Sequence, residues 1–234
     1  MFDEMNKISQ TADGSNTLFN ETIGENYHSK HGAVQESEHV FVAAGLKKAI
    51  DNWPGQELRI LEVGFGTGLN FLLSLNYALE HHVKLIYTGI EAFPITEEEL
   101  HSTQYSQYVP EAVWAMLTSN YLQALNQQVS LTPGQKLFIP HTTLTEFHTE
   151  ELVDLIYFDA FSVQHQPEMW SDEIIAHTCS FLKPGGIFVT YAITGNLKRA
   201  LKKAGLSIEK LPGAPGKREM LRATKLMLTI QGQD

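Results

Sequence analysis

Leu58-Arg59-Ile60-Leu61-Glu62-Val63-Gly64-Phe65-Gly66-Thr67-Gly68 is the stretch on which the reading of this 234-residue chain turns. Leu58, Ile60, Leu61 and Val63 form an apolar run of strand length. Glycines at positions 64, 66 and 68 follow; they permit a tight turn and keep side chains away from a ligand that approaches the backbone. Leu69 to Leu79 has helical character, so the loop leads into a helix N-terminus. Strand, glycine loop and helix in that order make the nucleotide-handling corner of a doubly wound α/β sheet.

A dinucleotide fingerprint requires a third glycine where Leu69 stands. Glu62 places a carboxylate just before the loop, where a pyrophosphate would be repelled and the ammonium of a methionine moiety attracted. The pattern Glu62-x-Gly64-x-Gly66-x-Gly68 resembles motif I of the class I S-adenosylmethionine-dependent methyltransferases. That resemblance implies a Rossmann-like, doubly wound, seven-stranded sheet and S-adenosyl-L-methionine as cofactor. Lys84–Ile90 reads as a second strand ending at Glu91, whose carboxylate is placed to accept from both ribose hydroxyls. The cofactor contacts expected are Glu62, Gly64, Phe65, Gly66, Gly68, Asn70, Glu91 and Ala92. Class I enzymes usually set an acid near a later strand exit against the adenine amino group; after Lys136–Ile139 the residues available are His141 and Thr142.

The length fits one domain with an extension, here divided as residues 1–55 and 56–234. Met1-Phe2-Asp3-Glu4 lacks the basic start and apolar run of a signal peptide. Leu69 to Leu79, the longest uncharged apolar-rich stretch, is too short to span a bilayer. Cys179 is the single cysteine, which excludes an internal disulfide and suits a reducing cytoplasm; ahead of Phe181 and Leu182 it reads as a packing residue. A cytoplasmic protein without membrane contact or obligatory protein partner is expected.

The net charge of −10 argues against a nucleic-acid partner until its distribution is considered. Residues 183–234 hold ten Lys and Arg against three acids, a balance of +7, so residues 1–182 carry −17. A basic contact face on an acidic body and a merely solvated helix both fit that asymmetry.

Residues 1–34 are polar, with turn formers at Asp13-Gly14-Ser15-Asn16, and read as an extension packed on the domain. Gln35 to Trp53 has helical spacing and Pro54-Gly55 ends it. Thr96-Glu97-Glu98-Glu99 is a helix start, with a threonine cap and acids that suit the dipole. Helices are expected over much of Thr96–Gln127, broken near Pro110. Leu152 to Phe158 is a nearly continuous apolar strand, as required at a sheet centre covered on both faces. It ends at Asp159, and carboxyl strand ends face the ligand crevice, so Asp159 is placed to meet the methyl acceptor. A helix from Glu168 to Leu182, a turn at Lys183-Pro184-Gly185-Gly186 and a strand Ile187–Ala192 follow. Asn196–Ala204 reads as a basic helix, and Ser207–Lys210 and Arg222–Ile230 as terminal strands.

Asp159-Ala160-Phe161, Gln166-Pro167-Glu168-Met169-Trp170-Ser171, Pro184-Gly185-Gly186 and Gly216-Lys217-Arg218-Glu219-Met220-Leu221 occur in an informative order. They resemble the methyltransferase domain of the bacterial bifunctional tRNA wobble-uridine enzymes of the MnmC family and its stand-alone counterparts. Asp13-Gly14-Ser15, Tyr27-His28-Ser29, Gln35-Glu36-Ser37 and His39-Val40-Phe41 resemble the stand-alone branch. The resemblance implies methylation of the primary amine of 5-aminomethyl-2-thiouridine in tRNA, giving 5-methylaminomethyl-2-thiouridine. It implies no flavin, because the flavin oxidase domain of the bifunctional enzymes has no counterpart in 234 residues. Two blocks depart from the family. Asp159-Ala160-Phe161-Ser162-Val163 stands for Asp-Gly-Phe-Ala-Pro on the acceptor side, and Pro215-Gly216-Lys217 for Gly-Arg-Lys, with one cation fewer.

Tyr27 and Phe161 sit in loops and are the candidates to stack on a base, whereas helical Met169 and Trp170 read as packing. Lys198, Arg199, Lys202, Lys203, Lys217 and Arg218 are the candidates for tRNA phosphates. No metal is expected: ten histidines include no His-Glu-x-x-His, and no paired cysteines accompany them. Two other functions use the same fold. An N-methyltransferase for a free small amine needs no basic face, and a non-catalytic RNA-binding protein needs neither the glycine loop nor Asp159.

Overall fold

The computed structural model describes residues 6–227. The expectations about Met1–Glu4 and about Leu228–Ile230 therefore lie outside the described residues. The polar N-terminal segment folds as a three-stranded antiparallel sheet, β1 (Lys7–Gln10), β2 (Asn16–Asn20) and β3 (Glu25–Asn26), which alternation in the sequence did not announce. Its β1–β2 turn is the expected one: Asp13 Oδ1 accepts from the Ser15 amide at 3.0 Å and from Thr11 Oγ1 at 2.7 Å, and Gly14 takes φ +86°.

A helical run over residues 33–52 follows, as α1 (Ala33–Ser37), a π-helical stretch Glu38–Lys47 and α2 (Lys48–Asn52). The wider π turn buries neighbours in succession, Val40 to Val42 and Ala44 to Leu46. Gly45 lets it lie close on the sheet, since a Cβ there would come within 3.0 Å of Tyr157 and 3.1 Å of Val189.

The chain then builds the main sheet from β4 (Leu58–Val63), α3 (Leu69–Glu80) and β5 (Leu85–Ile90). Helices α4 (Glu97–Ser102), α5 (Glu111–Thr118) and α6 (Tyr121–Ala124) come next. The Thr96 cap closes a full capping box: Thr96 Oγ1 accepts from the Glu99 amide at 3.1 Å while Glu99 accepts from the Thr96 amide at 2.7 Å. A hairpin of β6 (Val129–Thr132) and β7 (Gln135–Phe138) precedes β8 (Val153–Phe158). Ser171 caps α7 (Asp172–Ser180), and β9 (Leu182–Thr190), α8 (Gly195–Lys203), β10 (Leu206–Pro212) and β11 (Glu219–Lys225) complete the order.

The sheet order is β10-β11-β9-β8-β4-β5-β7-β6. It carries eight strands rather than the expected seven because β6, whose Val129 to Thr132 is too short to show a period, folds back antiparallel on β7. β4 lies between β5 and β8, parallel to both. The chain first extends outward through β5 and β7 and then returns to the other side of β4, so the crevice opens at the carboxyl ends of β4 and β8. All six side chains of β8 are buried, as a strand covered on both faces requires. Asp154 is tolerated there because its carboxylate accepts from the Arg59 amide at 2.8 Å and pairs with Lys183. Cys179 is buried in α7. Among the described residues no helix is long and apolar enough to cross a membrane.

Candidate active site

The glycine loop after β4 crosses the end of β8. The amides of Gly64 and Phe65 both donate to the Ile90 carbonyl at 3.1 Å, and the Asp159 amide donates to the Val63 carbonyl at 3.0 Å, so the three strand ends are tied together. Gly64 has φ +85°, and a Cβ there would lie 2.7 Å from the Asp159 carbonyl oxygen. At Gly66, φ +54°, a Cβ would lie 2.8 Å from the Tyr27 ring. The absent side chain at Gly66 therefore makes room for an aromatic ring of the N-terminal segment, while its backbone lines the cavity described next.

Above the loop lies a cavity of about 350 Å³, lined by residues 63–67, 90–93, 142–145 and 159–161. Glu91 lines it and is half-buried; its carboxylate accepts from the Gly66 amide at 2.7 Å and the Phe93 amide at 2.9 Å. Each oxygen keeps a further lone pair for a diol, and burial raises the carboxyl pKa above its ordinary value. Phe65 and Ala92 line the cavity as well, and Phe65 is buried against Phe71. Thr142 lines it too, its amide donating to the Glu91 carbonyl at 3.1 Å, but His141 is exposed and does not line it.

Glu62, Gly68 and Asn70 are not on the cavity wall. Gly68 is the left-handed N-cap of α3. Glu62 is completely buried and accepts from Tyr87 Oη and from Asn70 Nδ2, both at 2.8 Å. Burial pushes its pKa well up, with the Asp159 charge adding to the rise. A carboxyl sealed in this way cannot meet an ammonium, which corrects the role read from its position before the loop. Asn70 bridges instead: the same Nδ2 donates to Asp159 Oδ2 at 2.8 Å, so Glu62 acts on Asp159 through one amide. Asn70 Oδ1 is buried without a partner.

Asp159 is the point where two cavities meet. A second, of about 270 Å³, shares Tyr27, His28, Asp159, Ala160 and Phe161 with the first and adds Glu36, Tyr191 and Lys217. Tyr27 and Phe161 stand edge to face between them, ring centroids 5.2 Å apart. The Phe161 carbonyl accepts from Trp170 Nε1 at 2.8 Å and the Ala160 carbonyl from Tyr191 Oη at 2.9 Å, so buried Trp170 and half-buried Tyr191 hold this loop. Burial, helped by the Glu36 charge, raises the Asp159 pKa to about 7 against the opposing effects of Asn70 and Lys217. Burial lowers the His28 pKa to about 4, so its ring is neutral at pH 7.

The expected cations fall into two groups. Lys217 lines the second cavity, while Arg218 beside it is exposed and outside both. Lys198, Arg199, Lys202 and Lys203 lie on α8, away from the cavity walls; Lys203 pairs with Asp172 and Arg199 with Asn196. Asn20, Ile23, Glu36, Thr143, Leu144, Thr145, Ile174 and Tyr191 line the cavities without having been singled out in the sequence. Met169, read as packing, lines the first cavity as well. Of these Glu36 alone lay in a block that the sequence had marked by resemblance, Gln35-Glu36-Ser37, though with no role attached. Among the described residues no group of three or more His, Cys, Asp or Glu could hold a metal ion.

Known proteins resemble this chain in sequence and in fold. A family described as S-adenosyl-L-methionine-dependent methyltransferase matches residues 108–226. The tRNA 5-methylaminomethyl-2-thiouridine biosynthesis bifunctional protein MnmC of Aromatoleum aromaticum is 30% identical over 232 residues, 92% of this chain and 35% of that protein. The protein of the same name from Leptospira interrogans is 31% identical over 219 residues, 88% of this chain and 33% of its own. The chain thus spans about a third of the length of the curated relatives it matches. MnmC2 from Aquifex aeolicus superposes with a TM-score of 0.73 at 24% identity, covering 100% of this chain and 74% of that one. Magnesium protoporphyrin IX methyltransferase from Synechocystis with bound S-adenosylmethionine superposes at 0.52 and 14% identity, covering 82% and 81%. These two likenesses establish the fold. With half of its length matched by the family, the chain belongs to the S-adenosyl-L-methionine-dependent methyltransferases.

Proposed function

We propose that this chain methylates the primary amine of 5-aminomethyl-2-thiouridine at the tRNA wobble position, forming 5-methylaminomethyl-2-thiouridine. The observation that carries the reading is the meeting of two cavities at Asp159, one built for a nucleoside and one lined by carboxylates and aromatic rings. The names of the relatives, proteins of 5-methylaminomethyl-2-thiouridine biosynthesis, support the choice of acceptor.

Bound in the first cavity, S-adenosyl-L-methionine supplies an electrophilic sulfonium methyl group. Glu91 is suited to the ribose diol, the open backbone at Gly64 and Gly66 to the methionine part, and Thr142 and Ala92 to the base. Asp159 receives the acceptor amine and takes or passes on its proton, and Tyr27 and Phe161 flank the pyrimidine. Most of the rate then comes from positioning. In this reading residues 1–55 are an extension on a methyltransferase domain of residues 56–234, and the extension contributes Asn20, Ile23 and Tyr27 to the first cavity. The reaction is assigned to the cytoplasm, where tRNA is the acceptor.

The direct test is incubation with labelled S-adenosyl-L-methionine and tRNA that carries aminomethyl uridine, followed by nucleoside analysis. Label in the methylaminomethyl nucleoside is the expected result. Label that passes only to a free small amine supplied in a parallel reaction would favour the small-amine reading, and no transfer in either the binding-protein reading.

Two substitutions test the parts separately. Glu91→Ala is expected to weaken cofactor binding by about 1–3 kcal/mol through lost charged hydrogen bonds, measured by calorimetric titration. Unchanged affinity would remove Glu91 from the cofactor site. The cations of α8 and of residues 217–218 are assigned to tRNA phosphates. Each contact removed is expected to flatten the slope of log affinity against log salt by roughly 0.7–0.9. Charge reversal at Lys202 and Lys203 is expected to weaken tRNA binding and leave cofactor affinity intact; equally tight binding would make that face merely solvated.

A further inference from the structure

We propose that Glu36 and the ring of Tyr191 form the site that takes the acceptor's protonated primary amine, and that Lys217 fills this site until the acceptor displaces it. The inference rests on the reading above that the acceptor is a primary amine.

Glu36 stands on α1 with its side chain 8% exposed. One carboxylate oxygen accepts from the Ser29 amide at 3.0 Å, and the other pairs with the Lys217 ammonium. A carboxylate that deep needs a cationic partner, so the niche is built for an ammonium whatever carries it. The Lys217 Nζ also lies 3.9 Å from the centroid of the Tyr191 ring, within cation–π range. Tyr191 cannot turn away freely, because its hydroxyl donates to the Ala160 carbonyl at 2.9 Å. Carboxylate, aromatic face and Asp159 share one cavity of about 270 Å³.

The tip of a lysine is a methylene bearing an ammonium, the same group that a protonated aminomethyl pyrimidine presents. A niche that satisfies one satisfies the other, and like charges prevent both from occupying one carboxylate and one ring together. Lys217 is placed to leave. It belongs to the connection between β10 and β11, where Pro215, Gly216 and Arg218 are exposed, held by bonds from the Gly213 amide to the Arg218 carbonyl at 3.2 Å and from the Lys217 amide to the Ala214 carbonyl at 2.8 Å. Beside it Arg218 is exposed, so the same turn presents two cations to a polyanion once the niche is vacated. Exchange would leave the acceptor amine next to Asp159, where its proton can be removed.

The test is binding rather than turnover, so it does not depend on the tRNA reaction. The probes are the free nucleoside 5-aminomethyl-2-thiouridine and its uncharged 5-hydroxymethyl analogue, titrated calorimetrically into wild type, Lys217→Met and Glu36→Gln. Neither probe carries a phosphate, so a lost phosphate contact of Lys217 cannot enter. Lys217→Met is expected to bind the amine about fivefold tighter or more than wild type, and Glu36→Gln about tenfold weaker or more, with the hydroxymethyl analogue unaffected in both. Cofactor affinity within about twofold of wild type shows that each variant is folded, and if Lys217→Met proves unstable Glu36→Gln still reports, since it leaves unpaired only the Lys217 ammonium, whose side chain is 30% exposed. Amine affinity that is unchanged in Glu36→Gln, or unchanged or weaker in folded Lys217→Met, overturns the proposal and leaves the ion pair as a clip between α1 and the β10–β11 turn. Failure of the labelled-tRNA assay with the niche confirmed would overturn the choice of tRNA alone.

Discussion

Asp159→Asn is expected to keep the fold and cofactor binding while lowering methyl transfer at least about tenfold, the lower end of what a positioned proton acceptor contributes. An alkyl amine with a pKa near that of lysine, about 10.4, arrives protonated and has no lone pair for attack. The group assigned to take the proton is Asp159, which burial and the Glu36 charge raise to about 7. A carboxyl at that value accepts a proton far better than an exposed aspartate. Wild-type turnover is therefore expected to rise with pH through about 7 as Asp159 ionises. The Asn variant should lose that limb and recover part of its activity at higher pH, where water takes the proton. A full pH–rate profile checks this; turnover near wild type would leave Asp159 a structural cap of its turn.

The same shift predicts the direction of a stability effect. A carboxyl whose folded-state pKa lies above its unfolded value contributes fully below the unfolded value, about 3.9 for Asp, and loses that contribution as pH rises through the folded one. The Asp159 contribution therefore declines between about pH 4 and pH 7, and Glu62 shifts in the same direction. Melting of the cofactor-free protein across this window should flatten in Asp159→Asn.

Gly64→Ala is expected to destabilise the protein by about 2–4 kcal/mol and to abolish most turnover. Two effects add. An alanine at φ +85° is strained, and its Cβ would sit 2.7 Å from the Asp159 carbonyl oxygen, a backbone atom that cannot swing aside. To relieve the contact, the end of β8 must move away from β4, carrying the Asp159 side chain with it. In a chain of this size the melting temperature should drop by roughly 5–15 °C. Gly55→Ala is the control: φ +73° with nothing within 4 Å of a Cβ isolates the strain. Equal melting of the two variants would show that the approach of the loop to β8 costs nothing.

Much of the architecture was legible because its signals are local. Val63 to Gly68 announces strand end and turn, Thr96 a capped helix start, and Leu152 to Phe158 a strand with both faces covered. β6 and the N-terminal sheet were missed for the same reason. Strands of two to five residues carry too few positions for a period, and their pairing is decided by neighbours. α7 begins only at Asp172, because the Pro167–Trp170 turn is a separate 3₁₀ helix.

By itself the sequence determined that Glu91 and Asp159 stand at carboxyl strand ends and that a glycine loop follows Val63, since strand ends and turn chemistry follow from adjacent residues. Which carboxylate faces a ligand was decided only by tertiary packing. Glu62 stands one residue before the end of β4 and Asp159 just past the end of β8, yet Tyr87 and Asn70 seal one while the other opens onto two cavities. Glu36, 123 positions before Asp159, reaches the same cavity, and Tyr27 fills the space that Gly66 vacates. Burial and charge act through distance in space, so the pKa of Asp159 and the niche around Lys217 are written in no local pattern.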